Sequence, residues 1–412
     1  MSTYHPLTVN EAITYAQTLS GYFDNAATLQ CSEIGDGNLN LVFHITDPVN
    51  HKSIIIKQAL PYAKVVGESW PLSLDRARIE REALIKQHQL CPDLVPEVYA
   101  YDESMAITVM EDLSDHVIMR KGLLEGNEYP LFTEHIGRFL ANTLFYTSDL
   151  NMNPQQKKQQ VKIFTNPDLC KITEDLIFED PYQLSDNNNY ADSIADEAFA
   201  LREDQALHLE VALLRQKFLS QTQALLHGDL HTGSIFVTQE STKVIDPEFA
   251  YYGPMGFDIG AIIANLLLNY TAQPGWIKDE VALQEKQSSL LLMVEKTWNS
   301  FESHFRTLWN KDVQDVMAKT PGYQDIYVAQ ILKDTVGFAG CKIIRRIVGL
   351  SHVVDIDNIS NDTARETAQR KALSIGKQLV LSNRNINSIQ DLILIAKSTS
   401  QVTTEGVTHE FK

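Results

Sequence analysis

Asp229 and, seventeen positions later, Asp246 are the acids around which this chain could build a reaction. The first stands in His227-Gly228-Asp229-Leu230-His231-Thr232-Gly233-Ser234, the second in Val244-Ile245-Asp246-Pro247-Glu248. Each stretch follows an apolar run, Ala224 to Leu226 and Val244 to Ile245, so each should present its acids at the rim of a core. A carboxylate that can take a proton from an alcohol, followed by carboxylates that can hold Mg²⁺, is what phosphoryl transfer from a nucleotide requires. Asp229 fits the base, and Asp246 with Glu248 fits the metal pair. Their i, i+2 spacing puts both on one side of an extended backbone, with Pro247 stiffening the turn. Ser234 offers a further, weaker oxygen ligand. His227 and His231 lie four apart, but Gly228 and Gly233 argue against the helix that a metal-binding pair at that spacing needs. Both read as residues that order the loop.

A nucleotide also needs positive charge and close backbone approach. Gly35-Asp36-Gly37-Asn38-Leu39-Asn40 falls between two expected strands, and Gly35 and Gly37 would let N–H groups approach phosphates. Taken alone it reads better as a hairpin turn. Its weight comes from Lys57, at the end of the β-branched run Ser53 to Ala59. A lysine on a buried strand needs an acid. The helix expected over 74–89 offers Glu80 and Glu82, and Glu80 shares a face with Leu84. Glu111-Asp112-Leu113 ends another strand at the junction of two lobes, where backbone groups could read an adenine edge. Arg345-Arg346 lies in a largely apolar helix, and adjacent side chains there point about 100° apart. At least one arginine must therefore turn inward and meet an anion, either a phosphate or an acid of the protein.

The elements that position these residues fall into two halves. A short helix over 8–20 opens at Thr8. Strands are expected over 30–45, 53–59, 96–100 and 106–110, with the charged helix 74–89 between them. After residue 113 the pattern becomes helical, with helices over 130–148, 198–224, 258–270, 279–308, 324–349 and 361–382. Residues 151–160 read as an exposed polar stretch. The expected architecture is α+β and two-lobed: residues 1–113 bind nucleotide, and residues 114–412 carry the catalytic loop, the metal acids and the substrate site.

Composition narrows the class. A chain of 412 residues with 44% hydrophobic and 21% charged residues is ordinary for a globular protein large enough for two lobes. The net charge of −18 disfavours nucleic acid or an anionic membrane as partner. Cys31, Cys91, Cys170 and Cys341 are scattered, without a zinc or disulfide framework, which suits a reducing cytoplasm. The N-terminal residues lack the basic and apolar regions of a secretory signal.

The motif over 227–234 resembles the aminoglycoside phosphotransferase and choline kinase group, relatives of protein kinases, with Ser234 where the group usually has Asn. Asp246-Pro247-Glu248-Phe249 stands for the kinase D-F-G. Together with Trp70 to Arg78 and Cys341 to Gly349, the set resembles bacterial 5-methylthioribose kinases over nearly the whole chain. The resemblance implies a protein-kinase-like fold and ATP- and Mg²⁺-dependent phosphorylation of the 1-hydroxyl of methylthioribose. It implies that Asn40, Lys57, Glu111 to Leu113 and Asp246 to Glu248 contact ATP or its metal. Asp229 would contact the sugar, and Arg345 or Arg346 the sugar or the phosphate. It also implies a homodimer. Two alternatives stay open: a kinase of another alcohol, such as an aminoglycoside, choline or homoserine, and an inactive kinase-like binding module.

Overall fold

The computed structural model describes residues 4–24, 26–35, 39–63 and 67–398. Asp36, Gly37 and Asn38, the middle of the glycine segment, lie outside them. The chain opens with α1 (Val9–Gln17). Thr8 and Glu11 form a reciprocal cap: Glu11 N–H donates to Thr8 Oγ1 at 3.3 Å, and Thr8 N–H to Glu11 Oε2 at 2.8 Å. Three strands follow, β1 (Gln30–Glu33), β2 (Asn40–Asp47) and β3 (Lys52–Ala59). A short pair, β4 (Tyr62–Ala63) and β5 (Gly67–Pro71), leads to α2 (Asp75–Leu90) and then to β6 (Val98–Asp102) and β7 (Ile107–Glu111). The main sheet is antiparallel in the order β1-β2-β3-β7-β6.

Alternation along β3 decides which residue faces which core. Ile54 and Ile56 join Phe43, Ile45 and Val109 in a cluster closed by Ala12 and Ala16 of α1. Ile55 and Lys57 face the other way. Ile55 packs on the larger core, and Lys57 meets α2.

The remainder is mainly helical. It runs β8 (Val117–Ile118), α3 (Met119–Leu124), α4 (Phe132–Tyr146), α5 (Pro154–Ile163), α6 (Pro167–Glu174), α7 (Ala195–Glu203) and α8 (Gln205–Ser220). Four short strands follow, β9 (Ala224–Leu225), β10 (Ile235–Val237), β11 (Thr242–Val244) and β12 (Tyr252–Gly253). The chain ends in α9 (Gly256–Trp276), α10 (Glu280–Asp312), α11 (Tyr323–Val348), α12 (Val354–Asp357), α13 (Asp362–Ser382) and α14 (Ile389–Ser398).

Residues 151–160 are mostly exposed, as expected, but they carry a helix: α5 is capped by Asn153, opened by Pro154 and anchored by Lys157, the one buried side chain of the stretch, which pairs with Asp149. One expectation fails here. The helix expected over 198–224 is two, because the Asp204 side chain turns back to accept from Leu207 N–H at 3.0 Å and starts a second helix. α9 is buried on every side through residue 273 and forms the axis of this part. It lies so close to α11 that a Cβ on Gly260 would sit 2.7 Å from the Thr335 carbonyl oxygen. That closeness fixes α11, with its arginines, against the base of the catalytic loop. No described helix is long and apolar enough to cross a membrane.

Candidate active site

Two short sheets hold the loop of Asp229. Leu225 and Ala224 pair with Tyr252 and Gly253, and Ile235 pairs with Val244. Between these anchors, His227 N–H and Gly228 N–H donate to the two carboxylate oxygens of Asp258, at 2.7 and 3.0 Å. Asp258 belongs to the first turn of α9, so the central helix sets the height of the loop. Gly228 has φ +87°, and a Cβ there would come within 2.1 Å of the Phe249 carbonyl oxygen, so only glycine fits. The His227 ring accepts from Asp229 N–H through Nδ1 at 3.3 Å and donates from Nε2 to Ile245 O at 2.8 Å. His231 Nδ1 accepts from Gly233 N–H at 2.9 Å, and its Nε2 stands 3.4 Å from Asp229 Oδ2. Both histidines order the loop. Ser234 donates its hydroxyl to Asp229 O at 3.1 Å, which orders the loop and leaves the oxygen lone pairs as acceptors.

The seventeen-residue spacing is the length of the hairpin β10–β11, which returns the chain to the loop, where Ile245 N–H meets Ser234 O at 3.0 Å. Asp246 then takes φ +68°, a left-handed turn that aspartate tolerates. The extended backbone expected at 246–248 is therefore wrong, and what brings these acids together is a turn. Oxygens of Glu80, Asp246 and Glu248 all lie within 4.8 Å of one another. This is an all-oxygen donor set of the kind that suits Mg²⁺.

Lys57 Nζ bridges two of the three, donating to Glu80 Oε1 at 2.6 Å and to Asp246 Oδ1. Glu248 Oε2 accepts from Arg76 Nη1 at 2.7 Å and from Asn40 Nδ2 at 3.3 Å. Arg76 also holds Asn40 Oδ1 at 2.7 Å and the carbonyls of Leu39 and Leu60. It therefore ties the strand after the glycine segment to an acid of the second motif. Burial pushes Glu80 up to about 7 and Glu248 upward. For Lys57 burial works downward, but the Asp246, Glu80 and Glu248 carboxylates prevail and hold it fully charged.

At the end of β7 the acids have structural partners. Glu111 accepts from Lys243 at 3.0 Å and from Glu97 N–H at 3.1 Å. Asp112 accepts from Ser53 at 2.7 Å and from His44 at 3.0 Å. Leu113 is buried, and its carbonyl accepts from His116 N–H. Any recognition of a base here falls to the main chain. Gly35 ends the described part of β1's loop; Gly37 lies outside the described residues.

On the other side of Asp229 stands a group of cations. Arg345 and Arg346 are both buried, and neither forms an ion pair among the described residues. Arg346 Nη1 donates to Ser351 Oγ at 2.9 Å, while Arg345 Nε is buried without any hydrogen bond. The reading of the pair as Arg–carboxylate struts is thereby excluded. Lys342 Nζ lies 3.5 Å from Asp229 Oδ1 and 4.2 Å from the Phe257 ring centroid. Burial pushes Lys342 down to about 8 and both arginines down as well. Burial pushes His231 down to about 4, so it is neutral at pH 7. Burial would raise Asp229, but His231, Lys342 and Arg346 beside it hold it well below the usual carboxylate range. It is a base that stays ionised.

Sequence reasoning did not single out Arg76, Asp258 or Lys342 individually. Lys342 had a signal, because it precedes Arg345 by three and Arg346 by four on one helix face. Asp258 had one too, as a lone acid in an apolar helix.

Residues 30–288 match the model of a phosphotransferase enzyme family. The chain is 51% identical over 391 residues to a methylthioribose kinase of Geobacillus sp. (strain WCH70), covering 95% of each. It is 52% identical over 377 residues to a methylthioribose kinase of Bacillus cereus (strain G9842), covering 92% of this chain and 93% of the relative. Among solved structures, a choline kinase from Cryptosporidium parvum Iowa II is 13% identical with a TM-score of 0.45, covering 96% of this chain and 100% of that one. With half of its residues identical along nearly its full length, the chain belongs to the methylthioribose kinase family.

Proposed function

We propose that the chain transfers the γ-phosphoryl group of ATP to the 1-hydroxyl of 5-methylthioribose, giving 5-methylthioribose 1-phosphate in methionine salvage. The names of its relatives support the acceptor. The observation that carries the reaction is the contact of Lys57 with Asp246 across 189 positions, beside a loop whose carboxylate stays ionised. Asn40, Lys57 and the main chain of Glu111 to Leu113 face the nucleotide, with Gly35 near its phosphates. Asp246 and Glu248, with Pro247 fixing the turn between them, would hold Mg²⁺, which neutralises phosphate charge when bound. Ser234 supports the loop and stands as a reserve ligand.

Asp229 orients the sugar hydroxyl and takes its proton as the new O–P bond forms. The bond from the γ-phosphorus to the bridging oxygen breaks, and ADP leaves with that electron pair. Arg345 and Arg346 meet the sugar or the transferred phosphate. Residues 1–113 act as the nucleotide lobe and 114–412 as the catalytic lobe, in a cytoplasmic homodimer. The buried cations beside Asp229 disfavour a cationic acceptor such as an aminoglycoside or choline, because the site would repel it.

The test is ATP consumption by the purified protein with methylthioribose, kanamycin, choline, homoserine or no acceptor. Turnover is expected with methylthioribose alone; turnover with another acceptor instead overturns the substrate, and the absence of turnover in every arm points to a binding module. In the same assay Asp229→Asn should lower kcat about 10³-fold with ATP affinity within about twofold. An equal loss of ATP affinity would remove Asp229 from the acceptor side.

A further inference from the structure

Arg120 is the second residue of α3 and packs against the loop of Asp229. Its main-chain N–H donates to Thr232 O at 3.0 Å, its Nε to Thr232 Oγ1 at 3.2 Å, and its Nη2 to Asn265 Oδ1 at 2.8 Å. Among the described residues its one ion-pair partner is Asp355, 3.5 Å from Nε. The other oxygen of Asp355 is held by Asn269 at 2.7 Å, so that carboxylate is fixed in place. The remaining nitrogen, Nη1, makes no hydrogen bond among the described residues. It points at the loop: a Cβ on Gly233 would come within 3.2 Å of it and within 2.8 Å of the His231 ring. The His231 Nε2 stands 3.4 Å from the Asp229 carboxylate. Among the described residues, Arg120, Lys342, Arg345 and Arg346 thus share the surroundings of Asp229 with two further acids, Asp258 and Asp355. Asp258 is already committed to two loop amides. One cation is in excess, in a chain of net charge −18. A guanidinium fixed on two of its three nitrogens, with the third turned toward the loop that carries Asp229, is arranged to receive an oxyanion.

We propose that Arg120 binds the transferred phosphoryl group. Nη1 donates to one of its non-bridging oxygens during transfer and keeps that bond in the product phosphomonoester. Asp355 is a positioning residue that sets the plane of the guanidinium. The inference rests on the phosphotransfer reading of the site, and it adds to that site a group that contacts phosphate but neither the sugar nor the nucleotide base.

The test uses the full chain with Arg120→Gln, Arg120→Lys and Asp355→Asn. Two quantities are read: steady-state kinetics with methylthioribose, and binding of inorganic phosphate in the presence of ADP by calorimetry. Arg120→Gln should lower kcat about 10²-fold with the KM for ATP within about twofold, and weaken phosphate about tenfold. Arg120→Lys should recover about tenfold of the lost kcat. Asp355→Asn leaves the guanidinium in place, so it keeps the proposal testable if the Arg120 variants fail to fold; it should lower kcat about tenfold and weaken phosphate. A kcat within threefold of wild type in Arg120→Gln overturns the proposal. So does an equal loss in the Gln and Lys variants with phosphate affinity unchanged, or the absence of phosphate binding by the wild type. A wild type that binds phosphate but is silent on methylthioribose overturns the acceptor assignment instead, and the phosphate measurements still decide the role of Arg120.

Discussion

The cations on the two sides of the site are similarly buried and oppositely paired. On the nucleotide side Lys57 has a side-chain exposure of 12% and touches both Glu80 and Asp246; Arg76 is 2% exposed and touches Glu248. On the acceptor side Arg345 and Arg346 are 7% and 8% exposed and, among the described residues, touch no carboxylate. Depth is shared, so the difference lies in pairing. A buried ion pair roughly offsets its own desolvation, whereas a buried cation with no partner carries the full cost. The first side is a closed circuit, and an arriving metal–nucleotide complex must exchange partners with Lys57 and Arg76. The second side is open: it holds unfavourable charge that an incoming anion relieves, as sites kept for function rather than stability do.

The largest effect should come from breaking the open side. Arg345→Met removes a buried charge with an unsatisfied Nε and keeps most of the volume. Stability should rise by about 1 kcal/mol or more, a few degrees in Tm, while kcat falls about 10²-fold. Thermal melting and turnover on one preparation check both signs. A fall in Tm would show that Arg345 has a partner after all and would dissolve the contrast.

The closed side should answer with the opposite sign. Glu248→Gln leaves Arg76 with the Asn40, Leu39 and Leu60 oxygens but no countercharge. Tm should fall, because half of a buried pair has been removed. The Mg²⁺ concentration for half-maximal rate should rise about tenfold, with the KM for the sugar little changed. Unchanged Mg²⁺ dependence would take Glu248 out of the metal set and leave it as the anchor of Arg76 alone.

How much of this could be read in the sequence follows the same division. Asp229, Asp246 and Lys57 stand in local patterns, an acid after an apolar run or a lysine on a β-branched strand, and the structure brings their segments together. The five strands of the main sheet and the long helices were legible from period and turn residues. The break at Asp204 and the burial of Lys157 were not, because a polar window hides one cap and one ion pair that reaches back past the helix start to Asp149. The turn at Asp246 was misread as extended, since nothing local separates a tolerated left-handed aspartate from a strand end. Arg120 is the clearest omission. Its partners Thr232, Asn265 and Asp355 come from three other segments, so no window of sequence contains the site it serves.

Lys342 is the one residue where the two sides can be compared by pH. It faces Asp229 at 3.5 Å, Asp258, Arg345 and Arg346, and the ring of Phe257, and burial pushes it down to about 8. An exposed lysine titrates near 10.4. Between about pH 8 and that value the unfolded chain binds the extra proton, so the contribution of Lys342 to stability rises with pH across this window. Activity should run the other way, since Asp229 loses a neighbouring cation as Lys342 is neutralised. From pH 7 to 9, kcat should fall a few-fold while Tm holds or rises. Lys57, held charged by three carboxylates, should add nothing to that fall. Lys342→Arg stays charged throughout and should flatten the profile. If the variant keeps the wild-type decline, the titrating group lies elsewhere, and the open side owes its excess charge to the arginines alone.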